Sequence, residues 1–456
     1  MQDQSRLQDV MGQYPQLKTY NHGTALFALR DDTSREAVTE AIEAAAAKIV
    51  AKIPWLAEQV VHTGKTEGYT GQYGLAPWPS DAPPNTLVRV KDCSDICPSH
   101  DEILKAKGPA FMFNGAEICP VPGFPMTYDE AKIGPAPAVI IQLNHIKGGY
   151  LLTFSNQHNV MDGTGMFQVI GLLASIMSGA DISPSAVEQG NRDRKTVIPL
   201  FDPSEKMRDH SHLLAPVPSQ TPSPPPTPPK APATWNYFRF LKTSIPKIKA
   251  MATDPQGYDS SVPFISSNDA VSAFYWKRLA TNRVLNGQDP TAMSKFSRAI
   301  DSRTAMAIST EYMGQMVYFS ATWFSFQDLV DLPLSTIASN MRKNLNEVNN
   351  EWSVRSYATF IAGIPDKTKL LYGGPFNRFT DIASSSMAQA SLVLKFGVLG
   401  EPELIRRPNL APIPGTLYFY PPEASGDLNL LVCLGQQDLE AMKTDVEWGP
   451  CVDFIG

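Results

Sequence analysis

Cysteine is scarce in this 456-residue chain: there are five (Cys93, Cys97, Cys119, Cys433 and Cys451), an odd number with no Cys-x-x-Cys pair. Neither a disulfide framework nor a zinc ribbon is expected, and no metal site is read from the sequence. Charge is thin as well. Asp, Glu, Lys and Arg make up 18% of the residues, and the basic ones are outnumbered 39 to 45. Lys and Arg are scattered, so the clustered cations that displace counterions from phosphates are missing and nucleic acid is not an expected partner. No uninterrupted apolar run approaches the roughly 18 residues of a membrane helix, and the opening Met1-Gln-Asp-Gln-Ser-Arg-Leu-Gln8 has no apolar signal core. No membrane attachment is expected, the cytoplasm is the simplest compartment, and nothing demands more than a monomer.

What is abundant is apolar. Hydrophobic residues are 43% of the chain and aromatics 9%, which is the composition of a folded protein with a large core, long enough for two or three lobes. Proline is in excess at 39, and nine of these fall between Pro216 and Pro232. Each removes a backbone donor, so that run reads as an extended linker, with an SH3-type ligand as the alternative. Residues 206–234 then separate an N-terminal lobe, 1–205, from a C-terminal lobe, 235–456.

Helical and strand patterns alternate on both sides of that linker. A strand is expected over 24–29 and an Ala-rich helix over 35–52, stopped by Pro54. Residues 138–145 and 150–158 predict a hairpin closed by Ile146-Lys-Gly-Gly149. An apolar helix follows over 166–177, ending near Gly179. Beyond the linker a helix over 268–279 is expected, with Ser267 or Asn268 as its N-cap, then strands over 296–300, 315–326 and 428–434, and a helix over 332–348.

The element with chemistry in it is His158-x-x-x-Asp162-Gly163, at the exit of the hairpin's second strand. An imidazole, with an ordinary pKa near 6.5, takes a proton at neutral pH, which suits activation of an alcohol or amine. A carboxylate four residues on can steady the loop by pairing with an arginine, and Gly163 permits a sharp turn into the helix. The plainer alternative is a hydrogen-bonded core histidine followed by an aspartate N-cap.

Further segments decide between these. With Ile53-Pro-Trp-Leu-Ala57, Ser266-Ser-Asn-Asp-Ala270, Ile300-Asp-Ser-Arg303, Tyr312-Met-Gly-Gln315 and Gly400-Glu-Pro-Glu-Leu-Ile-Arg-Arg-Pro408, the motif resembles the BAHD-like acyltransferases. Within them it is most similar to the fungal trichothecene 3-O-acetyltransferase group. The resemblance spans nearly the whole chain. It implies an α/β (α+β) fold of two chloramphenicol-acetyltransferase-like lobes, mixed sheets flanked by helices, with a solvent channel between them. It implies acetyl-CoA or another acyl-CoA as co-substrate, and a small-molecule acceptor. By the same resemblance His158 removes the acceptor's proton and Asp162 points away to support the loop, aided by Gly163 and by Arg303 as ion-pair partner.

One departure stands out. The family's Asp-Phe-Gly-x-Gly element aligns with Lys395-Phe-Gly-Val-Leu-Gly400, so its Asp is replaced by Lys, which can instead meet a coenzyme phosphate. Tyr312 and Gln315 are candidate donors to a developing oxyanion, Arg406 and Arg407 candidate contacts for the coenzyme's phosphates, and His145 a candidate second imidazole. The leading reading is an acyl-CoA-dependent O-acyltransferase, most simply an acetyltransferase, acting on a hydroxyl of a fungal-type secondary metabolite. The alternative keeps the fold and the base but performs a coenzyme-free cyclisation, elimination or isomerisation.

Overall fold

The computed structural model describes residues 8–216, 232–388, 394–423 and 425–456. Most of the Pro-rich run, 217–231, lies outside the described residues. In chain order the strands are β1 (Tyr20–Ala28), β2 (Gln59–Thr63), β3 (Gln72–Ala76), β4 (Val88–Asp92), β5 (Ala136–Pro137), β6 (Val139–Ile146), β7 (Gly149–Gln157) and β8 (Thr234–Phe240). They continue as β9 (Met293–Asp301), β10 (Val317–Ser325), β11 (Ile382–Ser386), β12 (Leu404–Arg406), β13 (Thr416–Phe419), β14 (Leu428–Leu434) and β15 (Val452–Phe454). The first large sheet has the order β12-β1-β7-β6-β4, the second β10-β9-β11-β13-β14-β8-β15, and a small third β3-β2-β5. Both large sheets are mixed, since β4 runs parallel to β6 and β11 parallel to both β9 and β13.

The expected hairpin is β6 and β7, paired from Val139↔Asn156 to Ile146↔Gly149. Gly148 closes it with a φ of 76°, a backbone conformation that a Cβ disfavours. Every residue of both strands is buried, which explains their near-continuous apolar sequence. The helix Arg35–Lys52, capped by the Ser34 side chain, and the helix Gly163–Met177 set Val38, Ile42, Val169 and Leu173 against Ile141, Leu152 and Phe154. Each such side chain contributes on the order of 1.5–3 kcal/mol by leaving water.

Two helix starts differ from expectation for the same reason. The cap of the helix Ser267–Leu285 is Ser266, whose hydroxyl accepts from the Asp269 N–H while the Asp269 carboxylate accepts from the Ser266 N–H. That reciprocal box moves the start one residue earlier. Likewise Asp162 accepts from the Gly165 N–H, so the motif helix begins at Gly163 and not at 166. Against the second sheet, Val271 and Phe274 pack with Phe296, Val432 and Trp448.

The two halves of the chain interlock. Strand β12 comes from the C-terminal half yet pairs with β1 in the first sheet, Thr24 facing Arg406. Near the N-terminus, the hydroxyl of Tyr14 meets that of Tyr357 at 2.8 Å. Ahead of the Pro-rich run, His210 Nε2 bonds Ser356 Oγ at 2.9 Å and Leu214 forms a bridge to Leu370. These contacts fix one sheet against the other and so define the space between them.

Candidate active site

That space is a cavity of about 370 Å³ lined from both large sheets. His22, Phe154, Phe167 and His158 contribute from the N-terminal half, and Lys295, Phe319, Tyr372, Ser384, Arg407 and Tyr418 from the C-terminal half. His158 follows directly on β7, and its N–H donates to the Thr19 carbonyl at 2.8 Å.

The tautomer of His158 follows from its partners. Nδ1 lies 3.2 Å from the Met161 carbonyl and 3.2 Å from Gln315 Nε2, which also donates to the His158 carbonyl at 3.0 Å. A carbonyl only accepts. Both neighbours are satisfied when Nδ1 carries the hydrogen and the Gln315 amide gives its own to the His158 carbonyl. The lone pair is then on Nε2, which has no hydrogen-bond partner among the described residues. Burial pushes the imidazole pKa below its ordinary 6.5, and the Met161 hydrogen bond and the Asp162 charge offset this only in part. At neutral pH the ring is a free base.

The loop from His158 to Asp162 is held at every residue. Asn159 gives Nδ2–H bonds to the carbonyls of Gly12 (2.5 Å) and Tyr14 (3.0 Å), and the Val160 carbonyl accepts from Arg194 at 2.7 Å. The Met161 carbonyl accepts from Asn156 as well, at 2.8 Å. Asp162 accepts a parallel pair of bonds from Arg303 (2.9 and 3.0 Å) and a third from the Met316 N–H. Arg303 gives its remaining hydrogens to Asp301 Oδ1 and to the carbonyls of Tyr312 and Gly314. All five of its N–H groups are used. Burial works against its charge, but Asp162 and Asp301 outweigh that and hold the guanidinium above its usual value.

Asp162 and Arg303 thus meet as expected, behind the imidazole, and neither lines the cavity. Other expectations are corrected. Tyr312 is buried with its hydroxyl on Asp9, a carboxylate that also pairs with Arg194, so it presents no donor to the cavity. Gln315 is buried too and spends its amide on His158, behind the ring and outside the cavity lining. Gly163 makes no sharp turn. It is the first residue of a helix, a Cβ there would meet nothing within 4 Å, and it leaves that part of the cavity wall without a side chain. The glycine that close packing demands is Gly165, where a Cβ would collide with the Met313 carbonyl.

Lys395 is exposed and lies outside the cavity lining, with Phe396 taking the position that reaches the cavity. Arg406 is buried away from it, bonded to the carbonyls of Gly108 and Lys107 and 3.6 Å from Glu423. Neither of these two expected phosphate contacts lines the cavity. His145 packs edge-on to Tyr150 and is not in the lining either. Tyr372, in contrast, belongs to the lining: its ring stands 6.3 Å from that of His158, steep to it, and 4.8 Å from Phe319. Nothing in its local sequence distinguishes it, because a loop brings it to the site.

Known proteins resemble this chain over nearly its full length. A family model described as Trichothecene 3-O-acetyltransferase-like N-terminal domain matches residues 19–176, and one described as Transferase family matches residues 125–448. The chain is 44% identical to the O-acyltransferase pigD of Monascus ruber, with 100% of both chains covered. It is 40% identical to the O-acetyltransferase epaC of Aspergillus niger, covering 100% of this chain and 98% of the relative. The crystal structure of Fusarium sporotrichioides TRI101 complexed with coenzyme A and T-2 superimposes with a TM-score of 0.89 at 29% identity, covering 98% of this chain and 99% of that one. The mixed sheets flanked by helices are the fold of that enzyme. On this evidence the chain belongs to the Transferase family, with a trichothecene 3-O-acetyltransferase-like N-terminal domain, and it is an acyltransferase.

Proposed function

We propose that the protein transfers an acyl group, most simply acetyl, from an acyl-CoA thioester to a hydroxyl of an apolar secondary metabolite, with His158 as general base. The relatives support the donor and the bond formed, since they are named O-acyltransferases and the matched TRI101 structures hold coenzyme A together with T-2 or deoxynivalenol. The observation that carries the role of His158 is its free Nε2 in the cavity lining, with Nδ1–H turned to the Met161 carbonyl. The cavity's 370 Å³ is of the size that takes a small organic ligand.

In this mechanism Nε2 accepts the hydroxyl proton as the oxygen attacks the thioester carbonyl carbon. The tetrahedral intermediate then expels the thiolate, the C–S bond breaks, and the imidazolium returns its proton to sulfur. No acyl-enzyme forms. Gln315 and Met161 keep the ring in one tautomer throughout, and the Asp162–Arg303 pair keeps the loop from moving as charge develops.

The test is His158→Ala with acetyl-CoA and a fungal metabolite extract, following free thiol and acetylated products by mass spectrometry. Loss of about 10²-fold or more in turnover with the fold intact is expected. Unchanged turnover overturns the role of His158. The coenzyme-free reading drew its support from Lys395, and an exposed residue outside the cavity gives it none.

A further inference from the structure

Seven arginines are buried among the described residues, and six of them have a carboxylate within 4 Å. Arg407 is the seventh. It is 7% exposed, lines the cavity, and has no carboxylate in ion-pair range among the described residues. Its guanidinium lies 4.5 Å over the Trp235 ring and 5.7 Å from that of Tyr418. One Nη2–H goes to the Phe124 carbonyl at 3.0 Å, and Nη1 has only a long 3.5 Å contact to the Pro408 carbonyl. The remaining N–H groups have no partner among the described residues.

Such a group is costly. A buried cation is normally paired, and a planar guanidinium fixed against an aromatic ring presents its free edge to whatever lies beside it. The neighbouring Arg406 shows the alternative outcome of the same sequence position: three carbonyl bonds, a glutamate at 3.6 Å, and no place in the cavity. The other cation of the lining, Lys295, already donates to the Pro375 carbonyl. The titratable groups that Arg407 acts on, His22, Cys119, Tyr237, Tyr418, Tyr420 and Cys433, are all neutral at pH 7.

From this we infer that Arg407 is a specificity residue that takes an anionic oxygen of the acceptor, a carboxylate or ionised enol carried on an apolar skeleton. The inference rests on the proposed acyl transfer for the word acceptor, and on geometry for the rest. Register sets the reach. Tyr20 opposes Gln157, next to His158, and Arg406 opposes Thr24, so Arg407 leaves its strand beside Gly23. Along β1, Gly23 lies four residues of extended chain, about 13 Å, from Thr19, whose carbonyl bonds the His158 N–H, and β1 itself stands between β12 and β7. The acidic oxygen and the reacting hydroxyl therefore sit well apart, toward opposite ends of the acceptor.

The probes are 6-hydroxy-2-naphthoate, which is ionised at pH 7, and its neutral methyl ester, with the full chain and isothermal calorimetry in the absence of any donor. The acid is expected to bind about tenfold or more tighter than the ester, a preference lost in Arg407→Met and partly kept in Arg407→Lys. Equal affinities, no binding of the acid, or a preference that survives Arg407→Met overturns the assignment. Acetyl-CoA titrated into the same variant separates the two sources of anionic oxygen. Unchanged affinity is expected, and a tenfold loss would assign Arg407 to a coenzyme phosphate instead. Because binding is read without turnover, failure of acyl transfer counts against the proposed function and leaves this result standing. Thermal unfolding checks the fold. Arg407→Met is expected to unfold no earlier than the parent, whereas an Arg407 held only for structure would make it unfold earlier.

Discussion

Arg303 Nη1 and Nη2 lie 2.9 and 3.0 Å from the two oxygens of Asp162, a residue 141 positions earlier in the chain. Both side chains are within about 2% of complete burial. This pair ties the loop that carries His158, in the N-terminal half, to the turn after β9 in the C-terminal half. It joins the two sheets behind the imidazole and not in front of it.

Removing one partner leaves the other as an uncompensated buried charge. Arg303→Met is therefore expected to lower unfolding free energy by about 3–5 kcal/mol, and Asp162→Ala to lose the helix cap in addition. Urea unfolding at pH 7 measures both. A loss below about 1 kcal/mol would mean that the carboxylate finds other partners.

Gln315 is expected to act on the rate and not on donor affinity. Gln315→Leu removes the amide from the His158 carbonyl without reaching the cavity, so kcat should fall about 10-fold or more while the KM for acetyl-CoA holds. A change confined to KM would place Gln315 in substrate contact.

Gly163 and Gly165 should behave oppositely although they are two residues apart. Gly163→Ala meets no atom and replaces glycine in a helix, so the fold should gain up to about 0.5–1 kcal/mol while activity changes through the filled cavity wall. Gly165→Ala must push the Met313 carbonyl aside and should destabilise. Thermal melts of the two variants side by side decide it.

Acid should act on this protein twice. Burial holds the His158 pKa below 6.5, so the acid limb of kcat/KM should fall below that value. Burial also pushes His22 down to about 3 and His210 to about 4. Between those values and 6.5 the unfolded chain binds more protons than the folded one. Stability is then complete above pH 6.5 and declines as pH falls, by about 1.4 kcal/mol per unit for each such histidine. Denaturant midpoints at pH 7, 6 and 5 should show this slope, and His22→Gln should flatten it.

Lys395→Asp restores the residue usual at that alignment position. Because Lys395 is exposed and outside the cavity, kcat and the KM for acetyl-CoA are expected to stay within about twofold. Steady-state kinetics with the two proteins settles it.

Local pattern was enough for much of this. The hairpin of β6 and β7, the helix Arg35–Lys52 and the position of His158 at a strand's exit all follow from periodicity and turn residues close together in the chain. So did the meeting of Asp162 with Arg303, through resemblance. Capping was less legible, because a serine and an acidic residue three positions apart compete with neighbouring serines until their geometry is known.

Side-chain direction was not legible at all. Tyr312 and Gln315 sit in the same short segment as the Met316 N–H that bonds Asp162, yet one hydroxyl turns to Asp9 and the other side chain to the back of His158. Arg406 and Arg407 are identical neighbours at the end of β12, yet one turns into carbonyls and the other into the cavity. Chain order alone determined which elements form and that an imidazole would stand at the end of one. Which charges are paired, and which buried arginine among the described residues lines the cavity without a carboxylate, was decided only when two sheets built from distant segments closed on each other, since a residue's partners across that gap have no signature in its own neighbourhood.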